Sequence, residues 1–215
     1  MAGRSEGPAD EHESSSLPGD KPAIRRWAKA FRRALTEVDI EERSRRILAG
    51  VYALPEFAAA RGILICLSFG NEPDTWPRVR DASHAKRLYV PRADIVTGEL
   101  SVHPYPVELR RSRLGILEPV PGCAQLSEDE VDAQVDLILV PGLAFGASDR
   151  TRLGYGAGFF DRFLRRHPIP AVGLGYDETL VPSLPCDPHD VPMALIVTDR
   201  RVLRGPPPEG RRCAP

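Results

Sequence analysis

A glycine cluster at residues 154–158, with the sequence G-Y-G-A-G, is the feature of this chain best suited to chemistry. A short apolar run at 137–140 precedes it and reads as a strand buried on both faces. Phe160, Phe163 and Leu164 follow at helical spacing. This order of strand, glycine loop and helix lets backbone N–H groups hold a phosphate. The spacing matches neither a dinucleotide fingerprint nor a Walker A loop, so a plain tight turn stays open.

Two charged residues flank the cluster and favour a phosphate site. Arg152 lies just before the glycines and carries a permanent positive charge. Asp161 lies in the predicted first turn of the helix, where a carboxylate could hold a metal beside the phosphates. A carboxylate at a helix start also complements the helix dipole, so both interpretations of Asp161 stay open.

Further candidates lie far from the glycines in the sequence. Lys21 and Arg25 are one turn apart on a basic amphipathic helix predicted over 21–38, so both could reach one anion; a solvated helix face is the alternative. Glu72 follows a buried strand predicted over 62–69, where open α/β sheets place ligands. Asp187, His189 and Asp190 share a proline-rich loop that could be a metal site or only a turn.

Bulk properties exclude several functional classes. The chain has 215 residues, 42% of them hydrophobic, and a net charge of −1, which fits one soluble domain with no general attraction to nucleic acid or membranes. The first residues lack the apolar core of a secretory signal. Four scattered cysteines form no C-x-x-C pair, which predicts reduced thiols in a cytoplasmic protein.

Alternation of apolar strands with helical segments predicts one α/β domain at residues 21–203. We expect a three-layer α/β/α sandwich around a mainly parallel, Rossmann-like sheet. A disordered tail at 1–20 and a loose tail at 204–215 flank it. Asp39 and Glu42 predict a capping box that opens a second helix near 40–53, and residues 104–122 are expected to be irregular.

The motifs together resemble the signature of the 5-formyltetrahydrofolate cyclo-ligase family, whose members are also called 5,10-methenyltetrahydrofolate synthetases. The resemblance lies in V-P-G-L-A-F at 140–145, R-L-G-Y-G-A-G-F-F-D-R at 152–162, and L-G-I-L-E-P at 114–119. The family's Lys-x-x-x-Arg and Pro-x-x-x-His-Asp motifs match at 21–25 and 185–190. The resemblance implies an α/β sandwich that uses Mg²⁺ and ATP to convert 5-formyltetrahydrofolate to 5,10-methenyltetrahydrofolate, with release of ADP and phosphate.

The resemblance also implies roles for individual residues. Arg152 and Asp161 would be catalytic, and Asp161 and Asp190 would hold the metal. ATP would be bound by Lys21, Arg25, Arg152, Gly154, Tyr155, Gly156, Ala157, Gly158, Phe159 and Phe160. The folate would be bound by Leu67, Glu72, Tyr155, Gly156, Ala157, Gly158 and Phe159. This chain departs from the family in having Phe159 and Phe160 where relatives usually carry tyrosines, and Thr179 where many carry glutamine.

Two other functions are compatible with the sequence. One is an α/β enzyme acting on a phosphorylated sugar or a coenzyme A ester, because this sheet type hosts those reactions too. The other is a folate- or nucleotide-binding protein without catalysis, since the tyrosine hydroxyls are missing. The expected partners are small molecules alone, with no nucleic acid or membrane, and the expected state is a monomer or a weak homodimer.

Overall fold

A computed structural model describes residues 19–80, 86–112 and 115–204 of the chain. Its helices are α1 (Lys21–Ala34), α2 (Glu37–Tyr52), α3 (Pro55–Ala59), α4 (Trp76–Arg80), α5 (Glu128–Gln134) and α6 (Phe159–Arg166), with a 3₁₀ turn at Asp177–Thr179. Its strands are β1 (Gly62–Ile65), β2 (Arg87–Asp94), β3 (Glu99–Tyr105), β4 (Leu109–Arg111), β5 (Leu117–Pro119), β6 (Leu137–Pro141), β7 (Ala144–Gly146), β8 (Arg152–Leu153), β9 (Ala171–Leu174), β10 (Leu180–Val181), β11 (Leu195–Val197) and β12 (Val202–Leu203).

A seven-stranded sheet in the order β12-β11-β9-β6-β1-β2-β3 forms the centre of the molecule. The five inner strands are parallel, whereas β3 and β12 pair antiparallel at the two edges. The chain starts at β1, adds β2 on one side, and then adds β6, β9 and β11 on the other. The direction of winding therefore reverses between β1 and β6, and open α/β sheets bind ligands at such a switch point.

Helices cover both faces of this sheet, which confirms the predicted three-layer sandwich. Successive side chains of β1 point to opposite faces, as strand geometry requires. Ile63 and Ile65 join a core with α2 and α3, while Leu64 joins a second core with α5 and α6. Because both faces are buried, the inner strands are apolar throughout instead of alternating with polar residues.

A smaller sheet in the order β10-β7-β8 carries the first helix. Ile24 and Ala28 of α1 are buried against Leu143, Ala144 and Leu153 of this sheet and its flanks. Since β8 leads directly into the glycine cluster, this packing places the basic helix beside the candidate phosphate loop.

The second helix begins earlier than predicted. It starts at Glu37, and the capping box that opens it pairs Thr36 with Asp39. Glu42, which we expected to close that box, forms an ion pair with Arg46 instead. The Thr36 hydroxyl accepts a hydrogen bond from the backbone N–H of Asp39. Because Thr36 is the N-cap of α2, only two residues separate α1 from α2. A second capping box, between Ser127 and Glu130, opens α5.

Two strand predictions also need correction. The strand expected over 62–69 ends at Ile65, because Ser68 and Thr75 exchange hydrogen bonds that turn the chain away from the sheet. The region 104–122, expected to be irregular, holds the β4–β5 hairpin. Each arm has three residues, which is too short for alternation to be visible in the sequence.

The prediction of reduced thiols holds at two positions and is wrong at one. Cys66 and Cys123 are free, whereas Cys186 is disulfide-bonded. The spacing of scattered cysteines does not show which of them approach each other in the fold, so the sequence carried no signal for this bond. Cys213 lies outside the described residues.

The two predicted tails lie almost wholly outside the described residues, at 1–18 and 205–215. Asp20, which we assigned to the first tail, caps α1 by accepting a hydrogen bond from the backbone N–H of Ala23. Within the described part of the chain, no helix has both the length and the apolar composition needed to cross a lipid bilayer.

Candidate active site

A cavity of about 990 Å³ opens at the switch point between β1 and β6. Cys66 and Leu67 line it just beyond the end of β1, and Pro141 lines it at the end of β6. Its size lies at the upper end of the range of about 300–1,000 Å³ for small-molecule pockets. Most of the residues predicted to bind ATP, folate or metal line this one cavity, although they come from distant parts of the sequence.

The glycine cluster forms one wall of the cavity, between β8 and α6. Gly156 and Gly158 have φ values of +110° and +67°, which residues with a side chain rarely adopt. Gly158 is the N-cap of α6 and has no side chain to bond the free N–H groups of the first turn. These groups and the positive end of the helix dipole remain available to an anion in the cavity.

Cations of α1 approach the cluster from the side. The guanidinium Nε of Arg25 donates to the carbonyl oxygen of Gly154 at 2.9 Å. Lys21 lies one turn before it and lines the same cavity, as the spacing predicted. Lys21 Nζ donates to one carboxylate oxygen each of Asp187 and Asp190, at 2.5 and 2.6 Å. Burial lowers the pKa of Lys21, but these two hydrogen bonds raise it overall and keep the ammonium charged.

Arg152 and Asp161 form an ion pair across the start of α6. Arg152 Nη2 lies 3.3 Å from Asp161 Oδ2, and both side chains are nearly buried. The other carboxylate oxygen of Asp161 accepts from the backbone N–H of Val191 at 3.4 Å. Asp161 is thus in the first turn of α6, as predicted, and is also fixed by contacts outside the helix. Both members of the pair line the cavity next to the glycine cluster.

Three possible metal ligands converge in the loop after β10. One ligand atom each of Asp187, His189 and Asp190 lies within 4.8 Å of the others. The loop closes on itself because the backbone N–H of Asp187 donates to Asp190 Oδ2 at 2.9 Å. Together with Asp161 these carboxylates supply the hard oxygen donors that Mg²⁺ prefers, so the residues fit that ion. The ammonium of Lys21 makes the same contacts as a cation bound there would make.

Glu72 contributes a buried carboxyl group to the lining of the cavity. Its side chain is 3% exposed; Oε2 accepts from the backbone N–H of Phe69 at 3.3 Å, and Oε1 lies 3.7 Å from Arg32 Nη1. Burial raises the pKa of Glu72, and Arg32 opposes this shift without cancelling it. Burial and the nearby carboxyl raise the pKa of Tyr155 to about 12. Glu72, Leu67 and Tyr155, all predicted folate ligands, line the same cavity.

Arg32 is the residue at this site that the sequence analysis missed. We placed it on a solvated basic face, yet it is 4% exposed and also donates from Nη2 to the carbonyl oxygen of Gly142. Its Nε is buried and has no hydrogen-bond partner among the described residues. A signal existed, because Ile24, Ala28 and Arg32 recur at intervals of four residues and form the buried face of α1.

The departures from the family pattern have simple structural outcomes. Phe159 and Phe160 line the cavity and pack under the guanidinium groups of Arg162 and Arg152, at 5.4 and 5.5 Å. They contribute apolar surface where a tyrosine would add a hydroxyl. Thr179 is buried, and its hydroxyl donates to the carbonyl oxygen of Tyr176 at 2.9 Å, so its polar group is satisfied within the turn.

Comparisons with known proteins show the family to which this chain belongs. The model of the 5-formyltetrahydrofolate cyclo-ligase family matches residues 18–199. The 5-formyltetrahydrofolate cyclo-ligase of Escherichia coli K12 is 32% identical over 181 residues, which cover 80% of this chain and 96% of that protein. The mitochondrial enzyme of the same name from Arabidopsis thaliana is 28% identical, with 90% of this chain and 79% of that protein covered.

A solved structure is similar over most of its length. The NMR structure of 5,10-methenyltetrahydrofolate synthetase from Aquifex aeolicus superimposes with a TM-score of 0.73 at 29% sequence identity. The match covers 89% of this chain and 94% of that one. The family model spans both the glycine cluster and the acidic loop, whose residues meet in the cavity. The chain is therefore an enzyme of the 5-formyltetrahydrofolate cyclo-ligase family.

Proposed function

We propose that this protein uses ATP to convert 5-formyltetrahydrofolate to 5,10-methenyltetrahydrofolate, with release of ADP and phosphate. The observation that carries the proposal is that one cavity is lined by two chemically different sets of groups. Arg152, Lys21 and the glycine cluster offer positive charge and free N–H groups on one side. Glu72 and Leu67 line the same cavity and offer a buried carboxyl group and apolar surface. Such a cavity suits a triphosphate and a heterocycle held side by side.

The reaction needs ATP because the formyl group on N5 is an amide, whose carbonyl is a poor electrophile. In the proposed sequence the formyl oxygen attacks the γ-phosphorus of ATP, and ADP leaves. N10 then bonds to the activated formyl carbon and loses its proton. The bond between that carbon and its oxygen breaks, and the oxygen departs with the phosphate. The protein has to align the two substrates and stabilise charge on the phosphates.

The residues of the phosphate wall have separate parts in this proposal. Backbone N–H groups at the start of α6 and the guanidinium of Arg152 are placed to hold the transferring phosphate. Arg25 is anchored on Gly154, so it can contact the phosphates and fix the loop together. Lys21 is placed to contact the phosphates once its carboxylate partners bind another cation.

Asp161 and Asp190 are the proposed ligands of Mg²⁺, with Asp187 close enough to take part. When bound, the ion neutralises charge on the phosphates during transfer. Asp190 pairs with Lys21 and Asp161 pairs with Arg152, so each of the two proposed ligands lies beside a positively charged side chain. Glu72 is proposed to accept hydrogen bonds from the N–H groups of the pterin ring, in the manner of a carboxylate binding a flat donor pair.

The purified protein, mixed with 5-formyltetrahydrofolate, ATP and Mg²⁺, tests the proposal. We expect the near-ultraviolet absorbance of the methenyl product to rise only when both ATP and a divalent metal are present, with one ADP formed per product. Product formed at full rate without nucleotide would overturn the ATP-dependent reaction. Binding of both ligands without turnover would instead favour a non-catalytic binding protein.

A further inference from the structure

Arg162 of α6 reaches across to the turn between β2 and β3. Its Nε and Nη2 both donate to the carbonyl oxygen of Gly98, at 2.8 and 2.6 Å. Both hydrogen bonds carry the positive charge of the guanidinium group, so they are stronger than bonds between neutral groups. The proposed reaction does not use Arg162, although this residue directly follows Asp161 in the sequence.

The guanidinium group of Arg162 fits between two glycines that belong to different segments. A Cβ atom on Gly98 would lie 3.0 Å from Nη2, and a Cβ atom on Gly158 would lie 3.0 Å from Nη1. Gly158 is the N-cap of α6 and the last residue of the glycine cluster. The ring of Phe159, which lines the cavity, lies 5.4 Å from the same guanidinium group. Arg162 therefore joins the β2–β3 turn to the end of the glycine cluster.

The turn that Arg162 contacts carries two apolar side chains at the mouth of the cavity. Ile95 and Val96 are largely exposed, and both line the cavity. Within the turn, Asp94 Oδ1 accepts from the backbone N–H groups of Val96 and Thr97 at 2.8 and 3.3 Å. These local bonds fix the shape of the turn, whereas the bonds from Arg162 fix its place relative to α6.

We propose that Arg162 is a positioning residue for the folate substrate, and that it acts by holding the β2–β3 turn at a fixed place beside the glycine cluster. The inference rests on the proposed function, in which folate and the phosphates of ATP share this cavity. Exposed apolar groups at a cavity mouth favour a ligand that covers them, so the turn is a surface for folate. The formyl oxygen must lie close to the γ-phosphorus, and the spacing between turn and glycine cluster therefore affects the reaction.

Substitutions of Arg162 test the proposal through the two KM values. Arg162→Met keeps the length of the side chain and removes both hydrogen bonds. We expect it to raise the KM for 5-formyltetrahydrofolate by about fivefold to tenfold and to change the KM for ATP by less than about twofold. Arg162→Lys can still donate to Gly98 and should recover part of the loss.

Arg166→Gln is the matched control on the same helix. Arg166 Nη1 lies 3.2 Å from Glu99 Oε1, so this pair also connects α6 to the β2–β3 hairpin, but Arg166 does not line the cavity. Exposed ion pairs contribute little, and the control should leave both KM values unchanged. An effect of Arg166→Gln on the KM for folate equal to that of Arg162→Met would overturn a specific role of Arg162.

A double-mutant cycle tests whether Arg162 acts through the turn. The variant Ile95→Ser, Val96→Ser removes the apolar surface of the turn, and it should fold because both side chains are largely exposed. In that background Arg162→Met should raise the KM for folate by less than about twofold, since no apolar contact is left to position. The full effect in both backgrounds would overturn the inference, as would a wild-type KM for folate in Arg162→Met alone.

Failure of the proposed function gives a different result. If the wild-type protein forms no product, that function fails, and the dissociation constant of 5-formyltetrahydrofolate replaces KM in the same comparisons. The inference then depends on whether Arg162→Met weakens binding and the control does not. If 5-formyltetrahydrofolate does not bind to the wild-type protein at all, the inference is overturned as well.

Discussion

Asp161 forms an ion pair with Arg152 and also lines the cavity, so its carboxylate has both a structural contact and access to a ligand. Replacing it by asparagine keeps the size of the side chain and its contact with Val191, but removes a ligand for a hard cation. For Asp161→Asn we expect kcat to fall by about two orders of magnitude, on the scale of losing an electrostatic contact in the transition state. Raised Mg²⁺ or Mn²⁺ should restore part of the rate.

Substitution of Asp177 is the matched control for the loss of a buried ion pair. Asp177 is also buried and ion-paired, with Arg201 at 2.5 Å, but it does not line the cavity. Asp177→Asn should lower the melting temperature and leave kcat near the wild-type value, because it breaks a structural pair alone. If Asp161→Asn behaved like this control, with wild-type kcat and unchanged metal dependence, the metal role of Asp161 would be ruled out.

The effect of replacing Glu72 on the melting temperature should depend on pH. Burial raises its pKa above the ordinary value of 4.5, so the folded protein holds this proton more tightly than the unfolded chain. The contribution of the carboxyl to the free energy of unfolding is therefore greatest below pH 4.5 and declines as pH rises through the folded value. Without ligands, the melting temperature of Glu72→Gln should rise relative to that of the wild type between about pH 5 and pH 8, because glutamine does not titrate.

The same variant should bind folate less well. Loss of a charge-assisted hydrogen bond of at least about 1.5 kcal/mol should raise the KM for folate by about tenfold or more, with the KM for ATP unchanged. A melting-temperature difference that is constant with pH would show that the carboxyl titrates as an exposed one does. If Glu72→Gln raised only the KM for ATP, the proposed contact between Glu72 and folate would be wrong.

At the residue level, the sequence predicted charged groups better than it predicted their partners. Lys21, Arg25, Arg152 and Asp161 were all named as candidates from the sequence, and all four line the cavity. Arg32 was missed, because a helix with six basic residues suggests a solvated face and hides the one that is buried. Which arginine is buried depends on β6 and the segment after β1, and these meet α1 only in the folded chain.

At the scale of elements, the turn between β2 and β3 places apolar side chains at the cavity mouth. Ile95 is 70% exposed and Val96 is 90% exposed, and both line the cavity. The turn is fixed to α6, because Arg162 donates from Nε and Nη2 to the carbonyl oxygen of Gly98 at 2.8 and 2.6 Å. Apolar groups held in water at a cavity mouth favour a ligand that covers them.

We therefore expect Val96→Ser to raise the KM for folate by about fivefold, from about 1 kcal/mol of lost apolar contact. The KM for ATP and the melting temperature should not change. Val38→Ser is the matched control, because Val38 is 72% exposed on α2 and does not line the cavity. Equal effects of the two substitutions on the KM for folate would show that the turn does not contact the substrate.

The buried strands of the central sheet were the elements most visible in the sequence, whereas the strands of the small sheet were not predicted. The inner strands β1 and β6 were predicted because burial on both faces leaves an unbroken apolar run. The small sheet of β7, β8 and β10 has strands of two or three residues, and its pairing joins residues far apart in the chain. Its order depends on packing against α1, which no local pattern encodes.

At the scale of the whole molecule, topology explains why distant motifs form one site. The winding of the sheet reverses between β1 and β6, which leaves a crevice at their carboxyl ends. The segment after β1 supplies Leu67 and Glu72, and the segments after β6 supply the glycine cluster and Asp161. α1 and the acidic loop after β10 then close the crevice with cations and carboxylates. The proposed coupling of ATP to ring closure depends on all four segments meeting there.

The fate of the formyl oxygen tests this coupling most directly. The substrate is prepared with a heavy oxygen isotope in its formyl group, and the phosphate released during turnover is analysed by mass spectrometry. If the γ-phosphate is transferred to the formyl oxygen before N10 attacks, each phosphate released carries one heavy oxygen. Phosphate without the label, formed together with the methenyl product, would mean that ATP is hydrolysed by water and that the cavity does not activate the formyl group by phosphorylation.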